Sequence, residues 1–442
     1  MITPRTLKGF RDLLPGQALA RERVLEIARR VYQSYGFAPI DTPALEYLEI
    51  LTGKGSEETD KQLYRFTDHG GREVGMRFDL TVPFARFAAQ HTATLGTPFK
   101  RYHLATVWRG ENTQRGRYRE FMQCDFDTIG TTSPVADLET VLVVHDLLAA
   151  IGLERFTIRI NDRRILAGLL EALGLADRAT VVLRCLDKLG KQTPDAVGRE
   201  LAAHGIAAAA SDKLLSLSRL GGTPAQVLAG LQLLVEASAT GRAGLAALTA
   251  LLAGLADAGV ADGCVVIDPA IARGLDYYTG IVLESFLDDL PGLGSICSGG
   301  RYDNLAGLYT KQSLPGVGAS LGIDRLLAGL EELGCLKQAE TPAEVFLAQF
   351  DAAHLGDYLR IAAALRRAGL AVDFYPEPKK LGQQLKWAGK KGFRLAVVIG
   401  SDEFAAGTAQ LKQLATQQAT TIEWAGAPDR LAAAIKAELG CG

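Results

Sequence analysis

Between Arg115 and Asp127 the chain reads RGRYREFMQCDFD, and its polar and apolar residues alternate. Alternate side chains of an extended strand share a face. Arg117, Arg119, Phe121, Gln123, Asp125 and Asp127 therefore point one way, and Tyr118, Met122, Cys124 and Phe126 point the other. The second set can enter a core. The first set, polar apart from one ring, suits a solvated cleft. GMRFDLT repeats the pattern, with Arg77, Asp79 and Thr81 opposed to Met76, Phe78 and Leu80. Two such strands describe the floor of a ligand site, although any antiparallel sheet with one wet side alternates in the same way.

Periodicity organises the rest. Ala20, Val24, Ile27, Ala28, Val31 and Tyr35 recur at spacings of three and four, which predicts a helix over 17–35. FAPI reads as a short strand, and a period of two then predicts strands near 72–80, 99–109 and 117–128. Helices are expected at 82–92 and 134–151, and a strand at 154–162. From Arg163 to Val260 there is no Phe, Tyr, Trp or Met, and Ala and Leu dominate, which predicts a helical insertion with a small core. Strands resume at 263–268, 278–286 and 294–300, before a helix over 322–333. Beyond the linker GCLKQAETPAE, the runs VFLAQF, AVDFY and RLAVVIG are separated by helix-length segments, the pattern of a separate α/β domain with a largely parallel sheet.

A chain of 442 residues implies two or three domains, and a net charge of -2 excludes bulk basicity as a route to nucleic acid. Any RNA contact must use local patches. Lys386, Lys390 and Arg394 supply one, on a predicted helical face with Gln383, in a span from Pro378 to Gly400 without an acidic residue. The six cysteines are scattered without CxxC spacing and the six histidines do not cluster with them, so structural zinc is not expected and a reducing compartment is. MITPRTLKGFRDLLPG is too charged for a signal peptide, and no uninterrupted apolar run has transmembrane length.

Three further stretches carry chemistry. Arg109 precedes the loop GENTQRG and can clamp a phosphate in bidentate fashion. ARGLDYYTG places Arg273 and Asp276 beside Tyr277 and Tyr278. GVGASLGIDRL reads as a glycine-rich entry into a helix carrying Arg325, a weak phosphate-binding signal by itself.

Together these stretches resemble the histidyl-tRNA synthetase family of class II aminoacyl-tRNA synthetases. TVWRGENTQRGRYREFMQCDFD is similar to motif 2 and GVGASLGIDRL to motif 3, while YGFAPIDTPALE resembles motif 1, with Pro43 as its proline. ARGLDYYTG and CSGGRYDNL resemble the two histidine-specific motifs, and KKLGQQLKWAGKKG with VVIGSDEFAAGTAQLKQLAT resembles the anticodon-binding domain. The resemblance is weakest over 163–260.

It implies an α+β catalytic domain with an antiparallel sheet over 1–331, interrupted by a helical insertion at 163–260, then a linker at 332–343 and an α/β anticodon-binding domain at 344–438. It also implies activation of L-histidine by ATP with Mg2+, transfer to tRNA, a homodimer and a cytoplasmic setting without a membrane. By resemblance, Arg273 and Arg109 are the catalytic arginines, and Arg109, Glu111, Phe121 and Arg325 bind ATP. Tyr118 supports the nucleotide region, and Asp79, Thr81, Gln123, Asp127, Arg273, Tyr277, Tyr278 and Tyr302 bind histidine. Gln114, Arg115, Lys386, Lys390 and Arg394 face tRNA, and no metal is held by protein ligands alone. Many bacterial members carry Glu at the positions of Asp79 and Asp127, so the contact to the imidazole can run through water. The rival class is a catalytically silent regulator, such as a regulatory subunit of ATP phosphoribosyltransferase. Such chains typically lack the C-terminal domain and catalytic arginines. A synthetase for threonine, proline or glycine fits RGLDYYTG and GGRYD poorly.

Overall fold

The computed structural model describes residues 1–52, 57–186, 188–189, 192–271, 277–336 and 340–440. The chain divides into two compact units, residues 1–11 with 24–335 and residues 12–23 with 336–442.

The first unit is built on eight strands: β1 (Ala38–Pro39), β2 (Phe99–Trp108), β3 (Glu120–Ile129), β4 (Phe156–Asp162), β5 (Val265–Ile267), β6 (Ile281–Leu287), β7 (Cys297–Tyr302) and β8 (Gly316–Gly322). Their order is β1-β2-β3-β8-β7-β6-β4-β5. The six inner strands pair antiparallel, as expected, while the edge pairs β1–β2 and β4–β5 are parallel. Cys124 and Phe126 lie fully buried on the back of β3, where the Tyr32 ring sits 5.1 Å from that of Phe126. Tyr32 belongs to the helix Pro15–Ser34, and its hydroxyl donates to the Cys124 carbonyl at 3.1 Å. Burying one such ring contributes about 2–3 kcal/mol. The apolar half of the alternation therefore does what its spacing implies.

Two expectations at the front of the sheet change. The strand expected over 72–80 ends at Met76, in a small separate sheet, and the next helix starts at Thr81. GVGASLG is a strand, β8, rather than a glycine-rich turn. Its glycines are there for space. A Cβ on Gly318 would lie 2.2 Å from Asp127 Oδ1 and one on Gly316 would lie 2.4 Å from the Tyr302 ring; on the neighbouring β7, one on Gly300 would lie 2.5 Å from the Ile281 carbonyl oxygen.

The insertion is helical throughout its described residues, with six α-helices from Arg163–Ala172 to Ala239–Asp257. Ala239–Asp257 is the one described helix long and apolar enough to cross a membrane by length and composition, an outcome the sequence reading did not anticipate. Gly168 and Gly241 allow it to approach the Arg163–Ala172 helix closely, since a Cβ on Gly168 would meet Gly241 Cα at 2.4 Å.

The second unit carries β9 (Val345–Leu347), β10 (Val372–Phe374), β11 (Leu395–Val398), β12 (Thr408–Gln413) and β13 (Ala419–Glu423), in the order β10-β9-β11-β12-β13. The three apolar runs form its parallel part, and β12 and β13 add an antiparallel edge that the sequence reading missed. Arg394 is not on the face of the helix Leu381–Lys391, which ends before it; its guanidinium pairs with Glu344 at 2.6 Å.

Gly318→Ala should cost about 1–3 kcal/mol in denaturant unfolding because the strand spacing cannot open for a methyl group. Gly307→Ala, with nothing within 4 Å of the new Cβ, should change stability by less than half that.

Candidate active site

A cavity of about 300 Å³ opens on the front of the sheet. Asp79, Thr81, Arg109, Glu111, Phe121, Gln123, Asp127, Tyr277, Tyr278, Tyr302 and Arg325 all line it, together with Tyr118. The sequence thus points to one site from residues more than 200 positions apart. Arg273 lies outside the described residues. Asp79 and Thr81 reach the cavity from the start of a helix rather than from a strand, and Asp79 Oδ1 accepts the backbone N–H groups of Thr81 at 3.1 Å and Val82 at 2.9 Å. Arg77 does not reach it. Its guanidinium donates to the carbonyls of Thr42 and Thr106 instead. Arg119, expected on the cleft face, packs its stem beside Gly9 and donates to the Glu111 carbonyl at 3.2 Å. Both lie outside regular strand, where period-two reasoning has no hold.

The arginines stand at the Phe121 end of β3. The Arg109 guanidinium lies 5.1 Å from the Phe121 ring centroid and 4.3 Å from that of Phe78, and Nε donates to the Phe78 carbonyl at 3.0 Å. Arg325, on the helix Ile323–Glu332, donates to the Ser295 carbonyl. Burial, then repulsion from Arg117 and Arg109, lowers its pKa, yet guanidinium stays charged at neutral pH. Asp324 on the same helix holds Arg11 and accepts the Met122 N–H at 2.9 Å, which fastens that helix to β3.

The acidic end is built from a single row across the sheet, Arg101 on β2, Asp127 on β3, Gly318 on β8 and Gly300 on β7. Arg101, fully buried, pairs with Asp127 Oδ2 at 2.5 Å, and Tyr302 donates to Asp127 Oδ1 at 2.6 Å. The next row brings His103, Asp125, Ser320, Ser298 and Glu284 into line. Burial raises the pKa of Asp79 and Asp127, opposed chiefly by the Val82 N–H in the first case and by Arg101 in the second. Asp125 is pushed up to about 7 by burial, with Arg101 opposing and Asp127 adding to the rise.

Sequence reasoning did not single out Arg101 or Glu284, and it placed Asp125 on the cleft face without giving it a role. Arg101 could have been found from KRYHLATVW, where Arg101 and His103 break an otherwise apolar face at a spacing of two. Of the residues expected to meet tRNA, Gln114 forms a bridge to Arg117 in the loop, Arg115 pairs with Glu332 at 2.8 Å, and Lys386 and Lys390 are exposed on their helix. One grouping runs against the expectation that cysteine and histidine do not cluster: ligand atoms of Cys185, Glu200 and His204 lie within 4.8 Å of one another. The Lys188 ammonium already neutralises that carboxylate.

An antiparallel sheet with a helical insertion, a nucleotide-sized cavity on its front and an arginine on the helix after β8 is the catalytic core of a class II aminoacyl-tRNA synthetase. Residues 9–326 match the family model described as histidyl-tRNA synthetase, and residues 344–434 match that of an anticodon binding domain. A protein of Rhodopirellula baltica named histidine–tRNA ligase is 58% identical over 444 residues, covering 99% of each chain. A histidine–tRNA ligase of Wolinella succinogenes is 46% identical over 94% of each. The crystal structure of a histidyl-tRNA synthetase from Nostoc sp. PCC 7120 superposes with a TM-score of 0.89 at 35% identity, covering 99% of this chain and 100% of that one. A Bacillus halodurans structure described as an ATP phosphoribosyltransferase regulatory subunit/histidyl-tRNA synthetase shares the fold, with a TM-score of 0.72 at 24% identity over 85% of this chain and 93% of that one. The chain belongs to the histidyl-tRNA synthetase family.

A carboxyl whose folded pKa is raised to about 7 penalises folding at high pH. The penalty is absent below about pH 4, where both states hold the proton, and complete above about pH 7, on the order of 4 kcal/mol. Asp125→Asn should therefore raise stability at pH 8, and this gain should vanish as the pH falls to 4 in parallel denaturant titrations.

Proposed function

We propose that the chain activates L-histidine with ATP, forming histidyl-adenylate and pyrophosphate, and then transfers histidine to the 3' end of its tRNA. The observation that carries this reading is the single cavity shared by Arg109, Arg325 and Phe121 at one end and Asp127, Tyr278 and Tyr302 at the other. It receives support from full-length relatives named as ligases. The silent regulator is not favoured, because the nucleotide-facing arginines and the anticodon-type domain are both present.

In this reading the adenine stacks between Phe121 and Arg325, and Arg109 takes the α-phosphate, with Glu111 beside the nucleotide. The histidine carboxylate is itself the nucleophile, so the protein aligns the reactants and stabilises charge. Arg273 would serve the carboxylate and the α-phosphate. Asp79, Thr81 and Gln123 face the α-amino group, Asp127 and Tyr278 the imidazole, and Tyr277 and Tyr302 close the pocket. Asp127 keeps lone pairs free beyond Arg101 and Tyr302, enough for a ring N–H directly or through water. A pocket that must satisfy two ring nitrogens rejects apolar side chains by about 10⁴ or more without editing.

Glu111 and Glu284 present hard carboxylate oxygens to the arginine-lined end, which suits magnesium arriving with nucleotide phosphates. When bound, that ion would neutralise phosphate charge. Lys386 and Lys390, with Gln114 and Arg115, are the proposed tRNA contacts, and Arg394 can join them only by giving up Glu344. A homodimer in the cytoplasm completes the proposal.

ATP–pyrophosphate exchange with each amino acid in turn tests the reading. Histidine alone should stimulate exchange; silence with histidine in folded protein would sink it. Arg109→Ala and Arg273→Ala should each lower kcat/KM for exchange by about 10²–10³, the loss of one preorganised charge donor. A near-normal rate in either removes that residue from its role.

A further inference from the structure

Residues 7–11 lie against the arginine-lined end of the cavity. The Phe10 N–H donates to the Leu7 carbonyl at 3.0 Å, and Gly9 in that turn has φ +88°, where a side chain would be strained. A Cβ on Gly9 would also lie 2.7 Å from Arg119 Cγ and 2.9 Å from Thr113 Cγ2, so the turn rests directly on the loop between β2 and β3. The Gly9 carbonyl accepts the Arg119 N–H at 2.9 Å, and the Arg119 carbonyl accepts the Arg109 N–H at 2.9 Å. The Arg119 backbone thus joins the turn to Arg109.

Arg11 reaches the other nucleotide-facing groups. Its guanidinium carbon stands 3.8 Å from the Tyr118 ring centroid, and the same guanidinium pairs with Asp324 Oδ1. Asp324 is 7% exposed, and its Oδ2 accepts the Met122 N–H at 2.9 Å. It immediately precedes Arg325 on the helix Ile323–Glu332, as Met122 immediately follows Phe121 on β3. Tyr118 and Asp324 line the cavity, whereas Arg11 lies outside that lining. A single planar group therefore ties the loop, β3 and the Arg325 helix together from behind. Arginine suits the place because its flat face stacks on a ring while its edge donates to a carboxylate.

We propose that Arg11 is a positioning residue for the nucleotide: it fixes Tyr118 and the start of the Arg325 helix against β3, so that Arg325 and Phe121 stand ready for ATP. This rests on the arginine-lined end being the ATP site. The Asp127 end is held separately by Arg101 and Tyr302, so loss of Arg11 falls on ATP and spares histidine.

The test compares full-length wild type, Arg11→Met and Arg11→Lys in histidine-dependent ATP–pyrophosphate exchange, with histidine affinity measured by calorimetry in the absence of ATP. Arg11→Met should lower kcat/KM for ATP about tenfold or more, the scale of a slightly displaced clamp, while the histidine Kd changes less than about twofold. Lysine keeps a charge for Asp324 without the planar stack, so Arg11→Lys should retain a loss of about threefold or more. Full recovery with lysine assigns the effect to charge alone and overturns the positioning role. An unchanged ATP constant in Arg11→Met overturns it too, as does an equal weakening of ATP and histidine, the mark of a general structural loss. If Arg11→Met does not fold, Arg11→Lys decides by the same criteria. Histidine-dependent exchange that is indifferent to Arg11 leaves the ATP reading standing, whereas no exchange in the wild type removes both.

Discussion

The ion pair between Arg101 and Asp127 is the interaction on which the front of the sheet depends. Both side chains are buried, and the attraction between them offsets a desolvation cost of several kcal/mol per ion. Removing either partner would strand a charge, a loss of about 3–5 kcal/mol. The pair holds only because β2 and β3 place the two residues directly opposite each other, and because Gly318 on the other side of Asp127 leaves its carboxylate room. Tyr302 then lies across Gly316 to reach the same carboxylate. A polar floor is thereby fixed inside a fold whose back is an ordinary apolar core.

From this floor the cavity separates charge along one strand. Phe121 and Asp127 are six residues apart, roughly 20 Å of extended chain. Arginines gather at the first end and aspartates at the second. That division suits a reaction joining a polyanionic nucleotide to an amino acid whose reactive carboxylate must lie between the two. Arg325 sits on a helix and Arg109 directly follows the end of β2, where its Nε is held by the Phe78 carbonyl, so the nucleotide end is anchored on regular elements before charge develops.

Much of this was legible in the sequence, for identifiable reasons. Phe121, Gln123 and Asp127 were readable because β3 is a real strand with two unlike faces. Asp79 and Thr81 were found through the right spacing on the wrong backbone, and Arg77 shows the limit of that fortune. Arg101 was not singled out because its meaning lies in cross-strand register, which a single strand does not encode, and Asp125 was read onto the cleft face but given no role for the same reason. The glycines of β8 looked like a turn because the side chains that need their space sit on other strands. TAQLKQ and ATTIE, the polar antiparallel strands on one side of their sheet, lack the apolar runs that revealed its parallel strands.

The most direct measurement is a crystal structure with a histidyl-adenylate analogue in which a sulfamate replaces the phosphate. The imidazole should lie between Asp127 and Tyr278, with the adenine against Phe121 and Arg325. Density for the analogue elsewhere on the protein, or an imidazole turned away from Asp127 within this cavity, would contradict the assignment of the two ends.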